Sequence, residues 1–212
     1  MSRTESSSIY WAPETFGCFV WRQRRFGIFQ IIVGLTYVHE NLIFHKDLKP
    51  SNILLSLDKQ TIKLADFGLS EELRSLSSKV FCRQQFGTKG YRPAESFGNA
   101  WASLKSDIFS LGVVIYFVLS NGKSPFGDDF HLWIHKMKER KTDFSQLLIL
   151  NPKATGHLIT LMLSDERCRR PSIWQVADHP CWTGDEMECD FGEFEWSNLL
   201  AHFVICTVFI RM

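Results

Sequence analysis

The run His45-Lys46-Asp47-Leu48-Lys49-Pro50-Ser51-Asn52, followed later by Asp66-Phe67-Gly68, constrains this chain more than any other feature of it. Between the two lie Ile53-Leu54-Leu55 and Thr61-Ile62-Lys63-Leu64, two short β-prone runs separated by Asp58-Lys59-Gln60, which predict a β-hairpin. One carboxylate, Asp47, therefore sits on a loop with Lys49 and Asn52 close behind it, and the hairpin delivers a second carboxylate, Asp66. These are the residue types that phosphoryl transfer uses. An acid accepts a hydroxyl proton, an ammonium neutralises charge on the moving phosphoryl group, and an amide oxygen with a second acid can hold magnesium. A polar loop whose Asp and Asn merely cap turns is the alternative, and two linked motifs at fixed spacing weigh against it.

The same residues resemble the catalytic loop and metal-binding turn of eukaryotic protein kinases, whose pattern is His-Arg-Asp-Leu-x-x-x-x-Asn followed by Asp-Phe-Gly. Lys46 stands where arginine is usual. The resemblance implies catalytic roles for Asp47 and Lys49. It gives Lys49, Asn52 and Asp66 contacts to the nucleotide, with Asn52 and Asp66 as ligands of Mg2+ and ATP as co-substrate. By the resemblance Lys49 would be the phosphate-contacting lysine of Ser/Thr-type kinases, so the implied partner is a protein bearing a serine or threonine hydroxyl. The implied fold is α+β, mainly α: a kinase-like C-terminal lobe with a short β-hairpin at the catalytic loop.

Further segments fit that lobe. Gly87-Thr88-Lys89-Gly90-Tyr91-Arg92-Pro93-Ala94-Glu95 resembles the end of the kinase activation segment, although the family reads Ala-Pro-Glu where this chain reads Pro93-Ala94-Glu95. The resemblance pairs Glu95 with Arg170. Ser106 to Leu119 predicts a helix apolar on nearly every face, ended by Asn121-Gly122, and such a helix belongs inside a core. Asp107 in its first turn suits the helix dipole, and the resemblance has it brace the backbone of the catalytic loop. A helix over Phe26 to His39 would lead into that loop, and later helices are predicted over Phe130 to Lys138, His157 to Leu163 and Ile173 to Asp178. The polar stretch between Gly68 and Gly87 corresponds to the activation loop. Ser75, Ser77 and Ser78 are its candidate phosphate acceptors, and Lys46 could receive a phosphate only as a point charge.

The resemblance covers about Phe26 to Trp182. Residues 1–25 have no assignable period and are expected to be irregular; 183–212 form an acidic then apolar tail. No Gly-x-Gly-x-x-Gly loop and no Val-Ala-x-Lys strand occurs in the 212 residues, so the N-terminal β lobe is expected to be missing and the isolated chain to be weakly active or inactive. Two other readings stay open: a non-catalytic binding module, and a remnant of a kinase/ribonuclease stress sensor. The second rests on Asp107-Ile108-Phe109-Ser110, Pro125-Phe126-Gly127 and His179-Pro180-Cys181-Trp182, which look like the unfolded-protein-response kinase/ribonuclease sensors and ribonuclease L.

Composition excludes little. A net charge of +1 with both signs dispersed implies no general attraction to nucleic acid or membrane. Six cysteines without a Cys-x-x-Cys pair fit reduced thiols in a cytoplasmic compartment, and no apolar run reaches the roughly 20 residues of a membrane span. His131 and His135 have the i, i+4 spacing of zinc ligands but lack a third ligand, and Asp190-Phe191-Gly192 lacks the apolar strand that precedes Asp66. Oligomeric state is not encoded legibly.

Overall fold

The computed structural model describes residues 8–10, 21–56, 61–127, 129, 135–136, 142, 144–147 and 152–182. Expectations for the Asp58–Gln60 turn, most of the Phe130–Lys138 helix, His131, the second Asp-Phe-Gly and the tail after Trp182 fall outside them.

Apolar side chains cover most of the inner part of helix α1 (Trp21–Glu40), and Ile28, Ile31, Ile32, Leu35 and Val38 are all buried. The helix begins five residues before the expected Phe26 because the arginines ahead of it have partners. Arg24 is buried and donates to the Val118 carbonyl at 3.1 Å and to Asn121 Oδ1 at 3.3 Å, and Arg25 donates to the Trp182 carbonyl. Long side chains with apolar stems and a charged tip can thus cover core surface that a hydrophobicity pattern does not register.

The expected hairpin is present as β3 (Ile53–Ser56) and β4 (Ile62–Leu64), antiparallel with Ile53 opposite Leu64. A further strand, β1 (Ser8–Tyr10), lies antiparallel to β3 with Ile9 opposite Leu55. Gln30 of α1 accepts the Ile62 N–H at 2.8 Å, which fastens the hairpin to the helix. Two small antiparallel pairs complete the strands: β2 (Ile43–Phe44) with β5 (Glu71–Glu72), and β6 (Val80–Cys82) with β7 (Ala100–Ala102). Phe44, Leu73, Cys82, Phe86, Ala102 and Leu104 form a second, smaller core beneath them.

Helix α2 (Leu104–Leu119) is the central helix that the sequence predicts: every residue except Lys105 and Phe117 is buried. It opens on a capping box between Ser103 and Ser106 and closes with Gly122 N–H on the Phe117 carbonyl at 2.8 Å. Asn121 and Gly122 are both left-handed there, the geometry of a Schellman stop. Helices α3 (Pro152–Met162) and α4 (Ile173–Ala177) pack around it and α1.

Gly112 sits where α2 presses on the end of α3: a Cβ there would lie 2.9 Å from Met162 Cβ and 3.1 Å from Leu163 Cδ2, just past the helix. Gly112→Val is therefore expected to destabilise the fold by about 1–3 kcal/mol through overpacking, read as a lower urea midpoint with an unchanged slope.

Candidate active site

The turns before and after β2 and the one after β4 cannot relax as ordinary turns. Leu42, Lys46 and Asp66 all adopt positive φ (59°, 69° and 61°), a conformation that costs non-glycine residues of order 1–3 kcal/mol and persists only where surroundings over-determine it. At Lys46 the surroundings are the Asp107 carboxylate at the start of α2. Its Oδ2 accepts the His45 N–H at 2.9 Å and its Oδ1 the Lys46 N–H at 3.0 Å, and His39 Nε2 lies 3.1 Å from Oδ2. Asp107 is 1% exposed. Burial, helix position and two backbone bonds make it the clamp that the sequence reading expected.

Asp47 follows the clamped pair. Thr88 Oγ1 donates to its Oδ1 at 2.7 Å, while Lys49 Nζ lies 2.7 Å from its Oδ2 and 2.8 Å from Thr88 Oγ1. Asn52 Nδ2 reaches the Asp47 carbonyl at 2.8 Å and its Oδ2 at 3.3 Å. Burial is the largest single influence on Asp47 and opposes ionisation. The hydrogen bonds from Lys49 and Thr88, the Lys49 charge and the Asn52 bond together outweigh it and hold the carboxyl below its ordinary 3.8. Ionised Asp47 thus favours the fold above pH 3.8, and that contribution is lost only as pH falls through the depressed value.

The hairpin holds the second acid near this cluster without direct contact. Ala65 N–H bonds to the Asn52 carbonyl at 2.9 Å, His45 Nε2 lies 3.2 Å from the Ala65 carbonyl, and the His45 ring packs on Phe67 at 4.8 Å. Asp66 is exposed, and among the described residues its carboxylate accepts only the Gly68 N–H, at 3.4 Å. Both side-chain bonds of Asn52 use its Nδ2, which leaves Oδ1 without a protein donor among the described residues. An amide oxygen and a carboxylate with spare lone pairs are hard-oxygen donors, and they fit a magnesium ion that takes its remaining ligands from phosphate and water. Lys49 and Asn52 therefore both contact Asp47, and Asp66 stands one residue from a backbone bond to Asn52.

Two features escaped the sequence reading. Thr88 joins Asp47 to Lys49 across 41 residues of chain, a contact that no local pattern announces. Its neighbour Gly87 gives the signal: with φ +73° and a prospective Cβ 2.8 Å from the Lys46 carbonyl, it admits no side chain, so the segment can press against the loop. Lys46 is the other. Instead of facing an open phosphate site, its ammonium pairs with Glu71 of β5 and sits over the Phe44 and Phe86 rings at 5.6 and 6.0 Å.

The displaced proline leaves the end of the segment intact. Pro93 caps a 3-10 turn over Ala94–Phe97, and Glu95 still meets Arg170 through two bonds, at 2.5 and 3.1 Å. The Arg170 side chain is fully buried, also donates to the Ser164 and Lys105 carbonyls at 2.7 and 3.1 Å, and stacks over Phe109 at 5.1 Å. Ser106 donates to Glu95 at 2.9 Å.

Comparison with known proteins converges on one family. The protein kinase domain matches residues 6–182. The chain is 38% identical over 155 residues to the probable serine/threonine-protein kinase irlE of Dictyostelium discoideum, covering 72% of this chain and 11% of that protein. It is 32% identical over 163 residues to the serine/threonine-protein kinase/endoribonuclease IRE1a of Arabidopsis thaliana, covering 76% and 19%. To calcium-dependent protein kinase 6 of Plasmodium berghei it is 34% identical over 158 residues, covering 74% and 10%. It thus spans a tenth to a fifth of the length of these relatives. With the domain match running through the catalytic loop, the Asp107 clamp and the Glu95–Arg170 pair, the chain belongs to the eukaryotic serine/threonine protein kinase family.

Proposed function

We propose that residues 26–182, with the first turn of α1, form the C-terminal lobe of a serine/threonine kinase domain, and that the Asp47 cluster is the hydroxyl-facing end of its phosphoryl-transfer site. The observation that carries this reading is the closed triangle of Asp47, Lys49 and Thr88, with edges of 2.7, 2.7 and 2.8 Å. An ionised carboxylate fixed by an ammonium and a hydroxyl is held in the orientation that a substrate serine or threonine hydroxyl needs for its proton to be accepted. In this reading Asp47 orients that hydroxyl and takes its proton, and Lys49 offsets charge on the arriving phosphoryl group. Asn52 Oδ1 and the Asp66 carboxylate would hold Mg2+, which when bound with ATP supplies charge neutralisation across the phosphate oxygens. A scaffold that only bound partners would have no chemical use for this set, and this disfavours the non-catalytic reading.

The stretch aligned with the kinase/endoribonuclease, 163 residues, is about as long as those aligned with the other kinases, 155 and 158 residues, so the ribonuclease reading gains nothing from it. Cys82, Cys168 and Cys181 are free thiols, and no helix among the described residues is long and apolar enough to cross a membrane.

Phosphoryl transfer also needs a lysine–glutamate pair and a loop over the nucleotide phosphates, and neither motif occurs within these 212 residues. The isolated 212-residue polypeptide is accordingly expected to transfer no measurable phosphate from Mg-ATP to a generic Ser/Thr substrate. Transfer that Asp47→Asn abolishes would refute that expectation.

A further inference from the structure

The β6–β7 pair has two unlike faces. Val80, Cys82 and Ala102 turn inward to the small core, while Phe81 and Trp101 are directly opposed on the outer face, 45% and 51% exposed. Their rings meet edge to face at 5.4 Å. Lys79 and Arg83, two residues to either side of Phe81, continue the exposed side of the alternation, and neither has an ion-pair partner among the described residues. Arg167 adds a third cation: its guanidinium donates to the Trp101 carbonyl. Of the acids nearby in sequence, Glu166 pairs with Arg169 and Glu71 with Lys46, while the exposed Glu72 and Asp165 are paired with none of these three cations among the described residues. An exposed aromatic pair flanked by Lys79, Arg83 and Arg167 is an interaction surface, with the aromatic and arginine composition that protein interfaces favour.

The sequence contains a segment of the complementary chemistry. Residues 185–196, Asp-Glu-Met-Glu-Cys-Asp-Phe-Gly-Glu-Phe-Glu-Trp, carry six acids and no lysine or arginine, with Phe191, Phe194 and Trp196 interleaved among the acids. We propose that this segment docks on the β6–β7 face of its own chain, its carboxylates meeting Lys79, Arg83 and Arg167 and its aromatic side chains covering Phe81 and Trp101. Reach is sufficient. Fourteen extended residues beyond Trp182 span about 45 Å, against a radius of gyration of about 15 Å for a body of some 150 residues. Tethering raises the local concentration of the segment to the millimolar range, so a surface of modest intrinsic affinity is occupied. Because Phe81 lies just after the exposed Ser75, Ser77 and Lys79, a docked segment would also shield this stretch from other proteins.

Carbodiimide cross-linking of the full chain tests this directly, since it joins lysine amines only to carboxylates in contact. Mass spectrometry of the covalent monomer is expected to link Lys79 to Asp190, Glu193 or Glu195. The yield should fall at least about fivefold in roughly 0.5 M salt, where exposed charges are screened within a few ångströms, and in the double variant Phe81→Ser/Trp101→Ser. Both replaced side chains are exposed, and an unchanged circular-dichroism melt of the variant shows that the loss is local. Absence of these links, a yield indifferent to the double variant, or links confined to covalent dimers would overturn the proposal; the last would place a second copy's segment on this face.

Discussion

Arg170→Leu is expected to lower the unfolding free energy by about 3–5 kcal/mol, the range found when one partner of a buried ion pair is removed. The magnitude follows from what is stranded. Glu95 is left charged and mostly enclosed with Ser106 as its remaining side-chain partner among the described residues, and the Ser164 and Lys105 carbonyls lose the donors that Arg170 supplied. Urea unfolding followed by circular dichroism reads the effect as a fall in midpoint at constant slope. The double variant Glu95→Leu/Arg170→Leu should recover part of the loss because it removes the stranded charge, whereas the single variant retains it. Equal losses in the single and double variants would show that the lost carbonyl contacts, and not the isolated carboxylate, dominate.

Asp47→Asn carries the largest expected effect on activity. In a polypeptide where a nucleotide-binding lobe is supplied, phosphoryl transfer should fall by about 10²–10⁴-fold, the usual contribution of a positioned general base. The substitution keeps the shape and the hydrogen bond from Thr88, but it removes the charge that Lys49 neutralises and the site that accepts a proton. The kinetic signature is a loss in kcat with little change in the KM for ATP, because Asp47 would touch the substrate hydroxyl and not the nucleotide. Since its neighbours hold Asp47 ionised below the ordinary carboxylate range, lowering the pH from about 7 to about 5 should not switch off activity through this group.

Local patterns made much of this legible in advance. The catalytic run, the hairpin and the central helix each lie within a short stretch whose composition dictates it; for Asp107 composition alone offered only an acid on the helix dipole, and its role as a clamp came from family resemblance. The Glu95–Arg170 pair spans 75 residues and was accessible only through family resemblance. What stayed hidden were contacts between distant polar residues. Thr88 reaches Asp47 because Gly87 lets the backbone approach, and Lys46 finds Glu71 because β2 pairs with β5 in a register that places Phe44 opposite Glu71. Neither follows from hydrophobic periodicity. The early start of α1 was missed for a related reason: Arg24 is a core residue whose charge is spent on the carbonyl end of α2, and composition alone reads such residues as surface.

The central claim is that Asp47, Lys49, Thr88, Asn52 and Asp66 make one half of a working phosphoryl-transfer site. It is tested most directly by a chimera in which residues 21–182 replace the equivalent segment of an active serine/threonine kinase, assayed with Mg-ATP and a serine peptide. The account predicts transfer of the γ-phosphoryl group to the peptide serine, abolished by Asp47→Asn. A chimera that unfolds cooperatively and binds ATP yet transfers no phosphate, or one whose activity is unchanged by Asp47→Asn, would contradict it.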